Sequence, residues 1–453
     1  MLRAVYRAAW WLVAPLAVLR LFIRSRREHG YREHIGERFG YSAGRLPEDG
    51  APLIWVHAVS VGETRAAQPL VDALIAARPD ARVLLTHMTP GGRAAGEQLF
   101  GNRVLRCYLP YDTPQAVRRF LRAWRPSLGL VMETEVWPTL IDECRRADVP
   151  LVLTNARMSA RSYKRAAKFG AAAKEVFGGF TRVLAQSPSD AERLSALGAR
   201  NVAVLGNLKF DMASPPELVA RGHEWRRAIG ARPVWVAAST REGEEELVLQ
   251  AFAALGLDDA LLILVPRHPQ RFDEVAALIV RKDLELARRS QWAASAAAAA
   301  APSHESPRAL PPDVKVLLGD SMGEMGAYYA AADLAFIGGS LLPLGGQNLI
   351  EACAVGVPVL IGPHVFNFTQ ATADAVAAGA ALQVQDPADL ARTLRALFED
   401  KPRRVAMGGA AAAFAARHRG ATARTVDVLM TLLPESASSS ASSSSSSGAS
   451  LDV

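Results

Sequence analysis

Carboxylates that follow β-type segments are the residues of this sequence best suited, by type and spacing, to proton transfer. Ser60-Val61-Gly62-Glu63 follows the apolar segment 53–56, and Glu133-Thr134-Glu135 follows the apolar segment 128–132. Open α/β sheets bind ligands at the carboxyl ends of their strands, so both groups stand where a site is expected. Glu63 is a candidate general base that accepts a hydroxyl proton.

Structural roles explain the same carboxylates. Ser60 and Glu63 have the spacing of a capping box, and a glutamate near a helix start is favoured in any case. We expect a carboxylate held there to stay ionised at neutral pH, which suits a base. The sequence physics leaves both roles open.

Glu133 and Glu135 are two residues apart, so on an extended segment their side chains point the same way and form a carboxylate pair. A solvated loop with one helix cap is the alternative. Metal binding is a third interpretation, which we discount because the sequence contains no Asp-x-Asp motif. We expect no metal and no cofactor.

Cations follow several other predicted strands. The segment from Asn155 to Arg165 contains four, which is typical of a solvated face and also suited to an anionic substrate. The segment 206–211 ends the first predicted domain and places one lysine, Lys209, at the cleft. Arg267 and His268 stand side by side after the segment 261–265, where a guanidinium and an imidazole suit one phosphate.

Two glycine pairs bracket the loop from Gly338 to Gln347. Such a loop lets backbone N–H groups approach a phosphate at a helix N-terminus. Glu351 follows Asn348 by about one turn and is placed to accept from ribose hydroxyls. Asn348 capping a helix with help from Glu351 is the structural alternative. Residues 321–325, Ser-Met-Gly-Glu-Met, also resemble a cap.

The elements that must position these residues are short apolar segments alternating with longer helical ones. This pattern predicts parallel sheets with right-handed crossovers, in two Rossmann-like domains that face a cleft. The segment 212–216, Met-Ala-Ser-Pro-Pro, separates the two predicted domains. The predicted strands are 53–56, 82–85, 128–132, 151–153, 182–184, 202–205, 234–237, 261–265, 314–317, 334–337 and 358–361.

The amino-terminal end of the chain is basic and apolar. The net charge of the 453 residues is +7, and residues 1–40 carry eight Arg against three Glu, a net of +5. A basic end beside an apolar run indicates an anionic membrane surface, and we expect no nucleic acid. The run 8–23 is interrupted by Pro15 and Arg20 and is too short for a confident span.

We interpret this run as an uncleaved anchor or interfacial helix, and the arginines after it place the body of the protein in the cytoplasm. A signal peptide and an ordinary buried helix are the alternatives. Cys107, Cys144 and Cys353 are far apart and predict neither a disulfide nor a metal site.

The predicted organisation has four parts. Residues 1–29 form the anchor and its basic flank, and residues 30–212 the N-terminal, acceptor-binding domain. Residues 213–434 form the C-terminal, nucleotide-sugar-binding domain, with a low-complexity insert at 288–312. The serine-rich tail 435–453 is expected to be disordered because it cannot bury a core.

Taken in order, these motifs resemble the Kdo (3-deoxy-D-manno-octulosonic acid) transferases of lipopolysaccharide synthesis. Each motif is weak alone, and the ordered set is specific. The resemblance extends from the N-terminus to about Arg424. It rests on Ser60–Glu63, Glu133–Pro138, Asn155–Ser159, Gly206–Lys209, Val265–Pro269, Gly323–Met325 and Gly338–Ser340, with 31–40 after the anchor.

The resemblance implies an inverting glycosyltransferase of the GT-B fold at the inner membrane, which moves Kdo from CMP-Kdo to a lipid A precursor, a tetraacyldisaccharide bisphosphate. It makes Glu63 the base, with Glu133 and Lys209 supporting the transition state and Ser60 and Gly62 beside the substrate. The residues that would hold CMP are Arg267, His268, Gly323, Glu324, Met325, Asn348, Leu349, Ile350 and Glu351. One departure is Gln347, where histidine is expected.

Two other functions remain open on the sequence. A UDP-sugar transferase or sugar-nucleotide 2-epimerase keeps the fold and changes the substrate, although a soluble epimerase should lack the N-terminal anchor and the Ser-Val-Gly-Glu element. A non-catalytic, membrane-bound binding protein is the third class, and Glu63, Lys209 and Arg267 argue against it.

Overall fold

Two compact units make up the computed structural model of the chain. The first unit is Met1–Asp211 together with Gly420–Val453, and the second is Met212–Arg419. The structure describes residues 2–26, 29–41, 50–212, 214–292 and 309–434. Most of the predicted insert and the whole of the predicted tail, 293–308 and 435–453, lie outside the described residues.

The first unit is built on a parallel sheet of seven strands in the order β3-β2-β1-β4-β5-β6-β7. Its strands are β1 Leu53–His57, β2 Arg82–His87, β3 Leu105–Tyr108, β4 Leu128–Met132, β5 Leu151–Ala156, β6 Arg182–Ala185 and β7 Val202–Val204. Its first helices are α1 Leu2–Arg24, α2 Val61–Ala77, α3 Pro90–Phe100 and α4 Pro114–Trp124. They are followed by α5 Pro138–Arg146, α6 Ala160–Ala167, α7 Ala171–Phe177 and α8 Pro188–Ala196, and a 3-10 turn, Leu208–Asp211, ends this part of the chain.

Alternating side chains of β1 fill the cores on the two faces of this sheet. Leu53 and Trp55 belong to the core beneath α4 and α5, whereas Ile54 and Val56 belong to the core beneath α2. All four are fully buried. A strand buried on both faces reads as a continuous apolar run, which is why the sequence identified it.

The second unit repeats the architecture with a parallel sheet in the order β10-β11-β9-β8-β12-β13-β14. Its strands are β8 Val234–Thr240, β9 Leu261–Pro266, β10 Leu286–Arg288, β11 Val316–Leu318, β12 Leu334–Ile337, β13 Val359–Ile361 and β14 Ala381–Gln383. Its helices are α9 Pro216–Ile229, α10 Glu244–Ala254, α11 Phe272–Arg281, α12 Met325–Ala331, α13 Ile350–Val355, α14 Thr369–Ala377, α15 Pro387–Glu399 and α16 Lys401–His418.

Every strand predicted from the sequence is present, and the prediction missed three, β3, β10 and β14. All three lie at sheet edges. An edge strand faces solvent on one side, so it needs no apolar run, and the three residues of β10 are all partly exposed. The apolar-run criterion therefore finds every central strand, whereas of the four edge strands it finds only β7, whose residues 202–205 are all apolar.

The predicted C-terminal boundary at residue 434 is wrong. The last helix, α17 (Ala421–Met430), belongs to the first unit. The Asp211 carboxylate accepts the N–H groups of Gly420 and Thr422, both at 2.6 Å, and Leu429 is fully buried in the core beneath α2. The second unit thus ends at Arg419, and the chain returns to the first.

Helix α1 packs against the first unit and is not a separate appendage. The Tyr6 hydroxyl donates to Asp112 at 2.8 Å, and the rings of Trp10 and Tyr111 are 5.8 Å apart. Asp112 also accepts the N–H groups of Thr139 and Leu140 at the start of α5. Within the described residues, no helix is both long enough and apolar enough to cross a membrane.

Candidate functional site

The turn between β1 and α2 positions Glu63 in the first turn of the helix. Its Oε2 accepts the Val59 N–H at 2.7 Å. The hydroxyl of Ser60, the N-cap residue, makes no capping bond. The capping box predicted from the spacing is therefore only half formed, with the glutamate side bonded one residue earlier than a standard box requires.

The Glu63 carboxyl does not have the low pKa expected from a helix N-terminus. Its pKa is raised from 4.5 to about 7, chiefly by burial and also by the nearby carboxylates Glu133 and Glu135, and this value includes the opposing effects of the Val59 N–H and Lys209. The prediction that Glu63 stays ionised at neutral pH is therefore wrong. A carboxyl that exchanges its proton near pH 7 is better matched to general-base catalysis.

Two buried histidines lie beneath this turn. His87 Nδ1 is 2.9 Å from the Ala58 carbonyl and 3.3 Å from Thr64 Oγ1, so one ring contacts both sides of the loop that carries Glu63. Burial lowers the pKa of His87 to about 4 and that of His57 to about 3, so both are neutral at pH 7. A neutral His87 donates Nδ1–H to Ala58, which fixes its tautomer.

Glu133 and Lys209 form a close ion pair at the end of β4. Lys209 Nζ is 2.8 Å from Glu133 Oε1, and Glu133 is 8% exposed. Glu133 has a φ of 55°, in the left-handed region, and its main chain bonds to Thr154 and Arg157 of the next strand and loop. These bonds hold the strained residue in place.

Asn155 connects β5 to the loop that carries Lys209. Its Oδ1 accepts the Leu208 N–H at 3.1 Å, and it has a φ of 52° beside an irregularity in the pairing of β5 with β6. Asn155 is 2% exposed. The side chain therefore fixes the backbone one residue before Lys209, and asparagine tolerates the left-handed conformation better than most residues.

Glu133 and Glu135 interact electrostatically, as a carboxylate pair should, but not in the extended geometry that the prediction assumed. Because Glu133 is in a left-handed turn, the segment is not extended and side-chain alternation does not apply. Glu135 accepts the indole N–H of Trp137 at 2.8 Å, and burial raises its pKa. Within the described residues, no group of three His, Cys, Asp or Glu side chains is arranged to hold a metal ion.

In the second unit, the glycine loop is organised by a buried carboxylate that the sequence analysis missed. Glu244, fully buried at the start of α10, accepts the N–H groups of Gly339, Ser340 and Leu341 at 2.5, 2.9 and 3.0 Å. Those three N–H groups are thus not available to a phosphate, so the start of the loop does not make the predicted backbone contact. The missed signal is a run of three glutamates, 244–246, that begins four residues after the end of β8.

Arg267 and His268 follow β9 as predicted, and they stand among further cations. Burial lowers the pKa of His268, and the charges of Arg241, Arg267 and Arg271 lower it further. Arg271 also pairs with the fully buried Glu245 at 3.2 Å. His268 is thus surrounded by three arginines, of which Arg271 is also paired with Glu242 and Glu274.

Asn348 and Glu351 interact directly at the start of α13. Asn348 Nδ2 donates to Glu351 Oε1 at 2.9 Å, and Asn348 Oδ1 accepts the Ile350 N–H at 3.1 Å, as the capping interpretation requires. The buried Tyr329 interacts electrostatically with both Glu351 and Arg267, so each of them lies near this ring. Leu349 and Ile350 are fully buried, and the Ile350 N–H is already bonded to Asn348, so the structure does not support the prediction that these two residues contact CMP.

The segment Gly323-Glu324-Met325 begins α12 and is held by ion pairs. Glu324 is 3.0 Å from Arg221 and 2.9 Å from Arg289, and it accepts the Ser321 hydroxyl at 2.6 Å. Gly323 has a φ of 82°, in the left-handed region that favours glycine. Glu324 is therefore a structural centre of this corner of the second unit.

The structure thus places the predicted residues in one group in each unit. Glu63, Glu133 and Lys209 interact electrostatically in the first unit, with Ser60 half-buried and Gly62 exposed beside them. In the second unit Arg267 lies beside His268, Arg267 and Glu351 each lie near Tyr329, and Glu324 belongs to a separate network. The supporting residues that the sequence analysis missed, His87 and Glu244, act through backbone bonds that leave no spacing pattern.

Comparison with known proteins agrees with this geometry. Residues 33–212 match a family model described as 3-deoxy-D-manno-octulosonic-acid transferase (kdotransferase), and residues 306–414 match glycosyl transferases group 1. A 3-deoxy-D-manno-octulosonic acid transferase of Bordetella pertussis is 48% identical over 94% of this chain and 98% of its own length. The chain belongs to the Kdo transferase family. The predicted resemblance is confirmed.

Two further comparisons support family and fold. The 3-deoxy-D-manno-octulosonic acid transferase of Haemophilus influenzae is 35% identical over 96% of this chain and 99% of its own length. A solved UDP-GlcNAc 2-epimerase from Neisseria meningitidis covers 84% of this chain and 100% of its own, with a TM-score of 0.56 and 14% identity. At that identity the likeness shows the fold alone, and it fits the predicted α/β class of two parallel-sheet domains.

Proposed function

We propose that this Kdo transferase family member moves Kdo from CMP-Kdo to a hydroxyl group of a lipid A precursor, in lipopolysaccharide synthesis, with inversion at the anomeric carbon. The observation that carries the proposal is Glu63, a carboxyl with a pKa of about 7 beside the Glu133–Lys209 pair. Family membership supplies the sugar, and the cation cluster of the second unit supports a nucleotide donor.

The acceptor hydroxyl would lose its proton to Glu63. Oε2 is bonded to the Val59 N–H, so Oε1 is the oxygen that takes the proton. The acceptor oxygen forms a bond to the anomeric carbon as the bond from that carbon to the CMP phosphate oxygen breaks, and the electron pair leaves with CMP. Because the nucleophile enters opposite the leaving group, the configuration inverts.

Lys209 and Glu133 would stabilise the charges that develop in this step. The anomeric carbon gains oxocarbenium character, which a fixed carboxylate such as Glu133 stabilises. Lys209 pairs with Glu133 at 2.8 Å and balances one negative charge among the three carboxylates, Glu63, Glu133 and Glu135. The two residues act as a unit.

The cluster of Arg241, Arg267, His268 and Arg271 would receive the single phosphate of CMP. Guanidinium groups bind phosphate in a bidentate manner and can stabilise the leaving group without a cation. Asn348 and Glu351, joined by their 2.9 Å bond, present a carboxylate oxygen for ribose hydroxyls. Gly323, Glu324 and Met325 are proposed to border the nucleotide, with Glu324 held in place by its arginines.

We further propose that α1 lies in the interface of the inner membrane, with the two units on the cytoplasmic side. Tyr6 and Trp10 bind the body of the first unit, whereas five apolar side chains further along the helix are exposed. These are Val13, Leu16, Leu19, Phe22 and Ile23, with 43% to 64% of each accessible. Exposed apolar residues beside arginines are typical of helices that lie in anionic membrane surfaces.

A product-mass experiment tests the proposed reaction. Purified full-length protein is incubated with CMP-Kdo and a tetraacylated lipid A precursor, and the molecular mass of the lipid product is measured by mass spectrometry. The expected product gains one or more Kdo residues, and the same incubation with Glu63→Gln gains almost none. Transfer from a UDP-sugar without transfer from CMP-Kdo would instead support the sugar-nucleotide alternative.

A further inference from the structure

Helix α6 carries four cations on one face. Arg161, Lys164, Arg165 and Lys168 occupy positions i, i+3, i+4 and i+7, so their side chains form one stripe, which we call the α6 stripe. All four side chains are exposed. Residues 157–169 contain no Asp or Glu, and none of the four has an acidic partner in the described part of the chain.

The opposite face holds α6 to the first unit. Tyr163 and Ala166 pack against the core beneath α4 and α5. The helix begins at a fixed point, since Ser159 caps it through the Ser162 N–H and Asp190 accepts the Met158 N–H at 2.7 Å. The direction in which the stripe faces is therefore set by packing and capping.

Concentrating cations in this way opposes helix formation. Arg161 with Arg165 and Lys164 with Lys168 are like-charge pairs at i, i+4, which destabilise a helix by about 0.2–0.5 kcal/mol each. The helix dipole favours cations only in the last turn, and Arg161 is in the first. A general preference for cations at helix ends therefore does not explain the stripe, whereas an anionic ligand would remove the repulsion.

The stripe is close in the chain to the proposed catalytic group. The Arg157 N–H donates to the Glu133 carbonyl at 3.2 Å, and α6 begins three residues later. Both follow the carboxyl ends of adjacent strands, β4 and β5. Phe169, directly after Lys168, is 54% exposed, so an apolar ring borders the cations.

We propose that the α6 stripe binds the phosphate groups of the acceptor lipid and so holds its sugar hydroxyl toward Glu63. This inference rests on the proposed function, in which the acceptor is a bisphosphorylated lipid disaccharide. Two arginines and two lysines suit two phosphates, since guanidinium forks and ammonium groups both bind phosphate oxygens. Phe169 supplies a contact for the apolar part of the same ligand.

The test compares two triple variants of the full-length protein in a detergent-dispersed assay. Arg161→Gln/Lys164→Gln/Arg165→Gln removes three charges from the stripe. The control, Arg122→Gln/Arg125→Gln/Arg200→Gln, removes three exposed arginines elsewhere in the first unit, none of them in a described ion pair. We expect the stripe variant to raise the KM for the bisphosphorylated acceptor about tenfold, the loss of roughly one charge-assisted contact, while the KM for CMP-Kdo and the melting temperature stay near wild type.

A dephosphorylated acceptor separates phosphate recognition from other effects. The stripe variant and the wild type should differ little with this acceptor, and added salt should raise the wild-type KM only for the phosphorylated form. An unchanged KM for the bisphosphorylated acceptor, or an equal rise for both acceptors, would overturn the inference.

Anionic vesicles distinguish a membrane surface from the acceptor itself. If the stripe variant loses sedimentation with phosphatidylglycerol vesicles but keeps the wild-type KM for dispersed acceptor, the stripe binds bilayer lipid and the inference is wrong. Failure of the wild-type protein to transfer Kdo at all would contradict the proposed function instead, so the two failures are distinguishable.

Discussion

Lys209 Nζ lies 2.8 Å from Oε1 of Glu133, and this pair joins two parts of the first unit that are 76 residues apart in sequence. The two charges have opposite effects on a third residue. Lys209 lowers the pKa of Glu63, whereas Glu133 raises it. The two members of the pair therefore act in opposite directions on the protonation of the proposed base.

This relationship predicts opposite shifts in the pH dependence of kcat/KM. A general base is active when deprotonated, so activity should rise with pH through the pKa of Glu63, near 7. Lys209→Met removes a cation and should move this rise to higher pH. Glu133→Gln removes an anion and should move it to lower pH.

Residual activity of the two variants is measured across pH with saturating acceptor and limiting donor. Arg200→Gln, an exposed arginine outside the site, serves as control and should leave the midpoint unchanged. Shifts in the same direction for Lys209→Met and Glu133→Gln would show that Glu63 does not set the profile. The midpoint belongs to the coupled carboxyl group as a whole.

Asn155 should be needed for activity because it holds the loop before Lys209. Asn155→Ala and Asn155→Gly both remove the acceptor for the Leu208 N–H, and each should cost about 1–3 kcal/mol of unfolding free energy and lower kcat. Glycine should be the more stable of the two because residue 155 has a φ of 52°.

Asn201 is a matched control for this prediction. It is exposed, has a φ of 51° and lies away from Lys209 in the fold. Asn201→Gly should also be more stable than Asn201→Ala, but both should keep wild-type kcat. Urea unfolding measures the stability of each variant, and initial rates measure its kcat. A normal kcat in Asn155→Gly would show that Asn155 does not position Lys209 for catalysis.

Much of the fold was predictable, because buried parallel strands are continuous apolar runs whatever their order. The order itself, with β1 and β8 inside their sheets, depends on packing between segments far apart in sequence. The same limit explains α17: nothing near residue 434 reveals that Asp211, more than 200 residues earlier, caps that helix.

The site was predictable in its residue types and not in its electrostatics. Glu63, Glu133 and Lys209 were identified by their places after strands and by family resemblance. The predicted ionisation of Glu63 was wrong because its pKa depends on burial and on neighbouring carboxylates. Neither can be read from the residues next to Glu63 in the sequence. Glu133 and Glu135 were paired on the assumption of an extended backbone, and the left-handed turn at Glu133 removes that assumption.

Activity should persist in excess EDTA. The sequence has no Asp-x-Asp motif, and the proposed donor has one phosphate that the arginine cluster can neutralise. The rate of Kdo transfer is compared before and after chelation, with a metal-dependent sugar transferase treated in parallel to verify the chelator. A rate abolished by EDTA and restored by Mg²⁺ would make the carboxylate group a metal site.

Removal of residues 1–23 should release the protein from membranes and lower its stability. The truncation exposes Tyr111 and leaves Asp112 without its Tyr6 partner, so the melting temperature should fall even though no proposed site residue is removed. Turnover of dispersed acceptor by the folded truncation should stay largely intact. Tyr6→Phe is the milder comparison and should lose about 1 kcal/mol of unfolding free energy while keeping membrane binding.

Glu63→Gln distinguishes the base from the cap. Glutamine keeps an oxygen for the Val59 N–H, so a purely structural Glu63 predicts near-normal activity in this variant. If Glu63 is the general base, the glutamine variant has no proton acceptor. Its kcat should then fall by about 10²-fold or more, with little change in CMP-Kdo affinity. Folded Glu63→Gln protein with more than about a tenth of wild-type kcat would end the general-base assignment.

The stability of the same variant gives an independent check on the pKa. The native pKa of Glu63 is raised from 4.5 to about 7, so between these values the native state binds more protons than the unfolded state. The contribution of Glu63 to the free energy of unfolding therefore falls as pH rises from about 4.5 to about 7. Above pH 7 the native state carries the full cost of ionising this buried carboxyl. Glu63→Gln has no such penalty, so its stability relative to wild type should increase from about pH 5 to about pH 8, measured by urea unfolding at each pH. A constant difference across the window would mean that Glu63 titrates at its ordinary pKa, and the base would then have to function without the raised pKa that the buried carboxylate group provides.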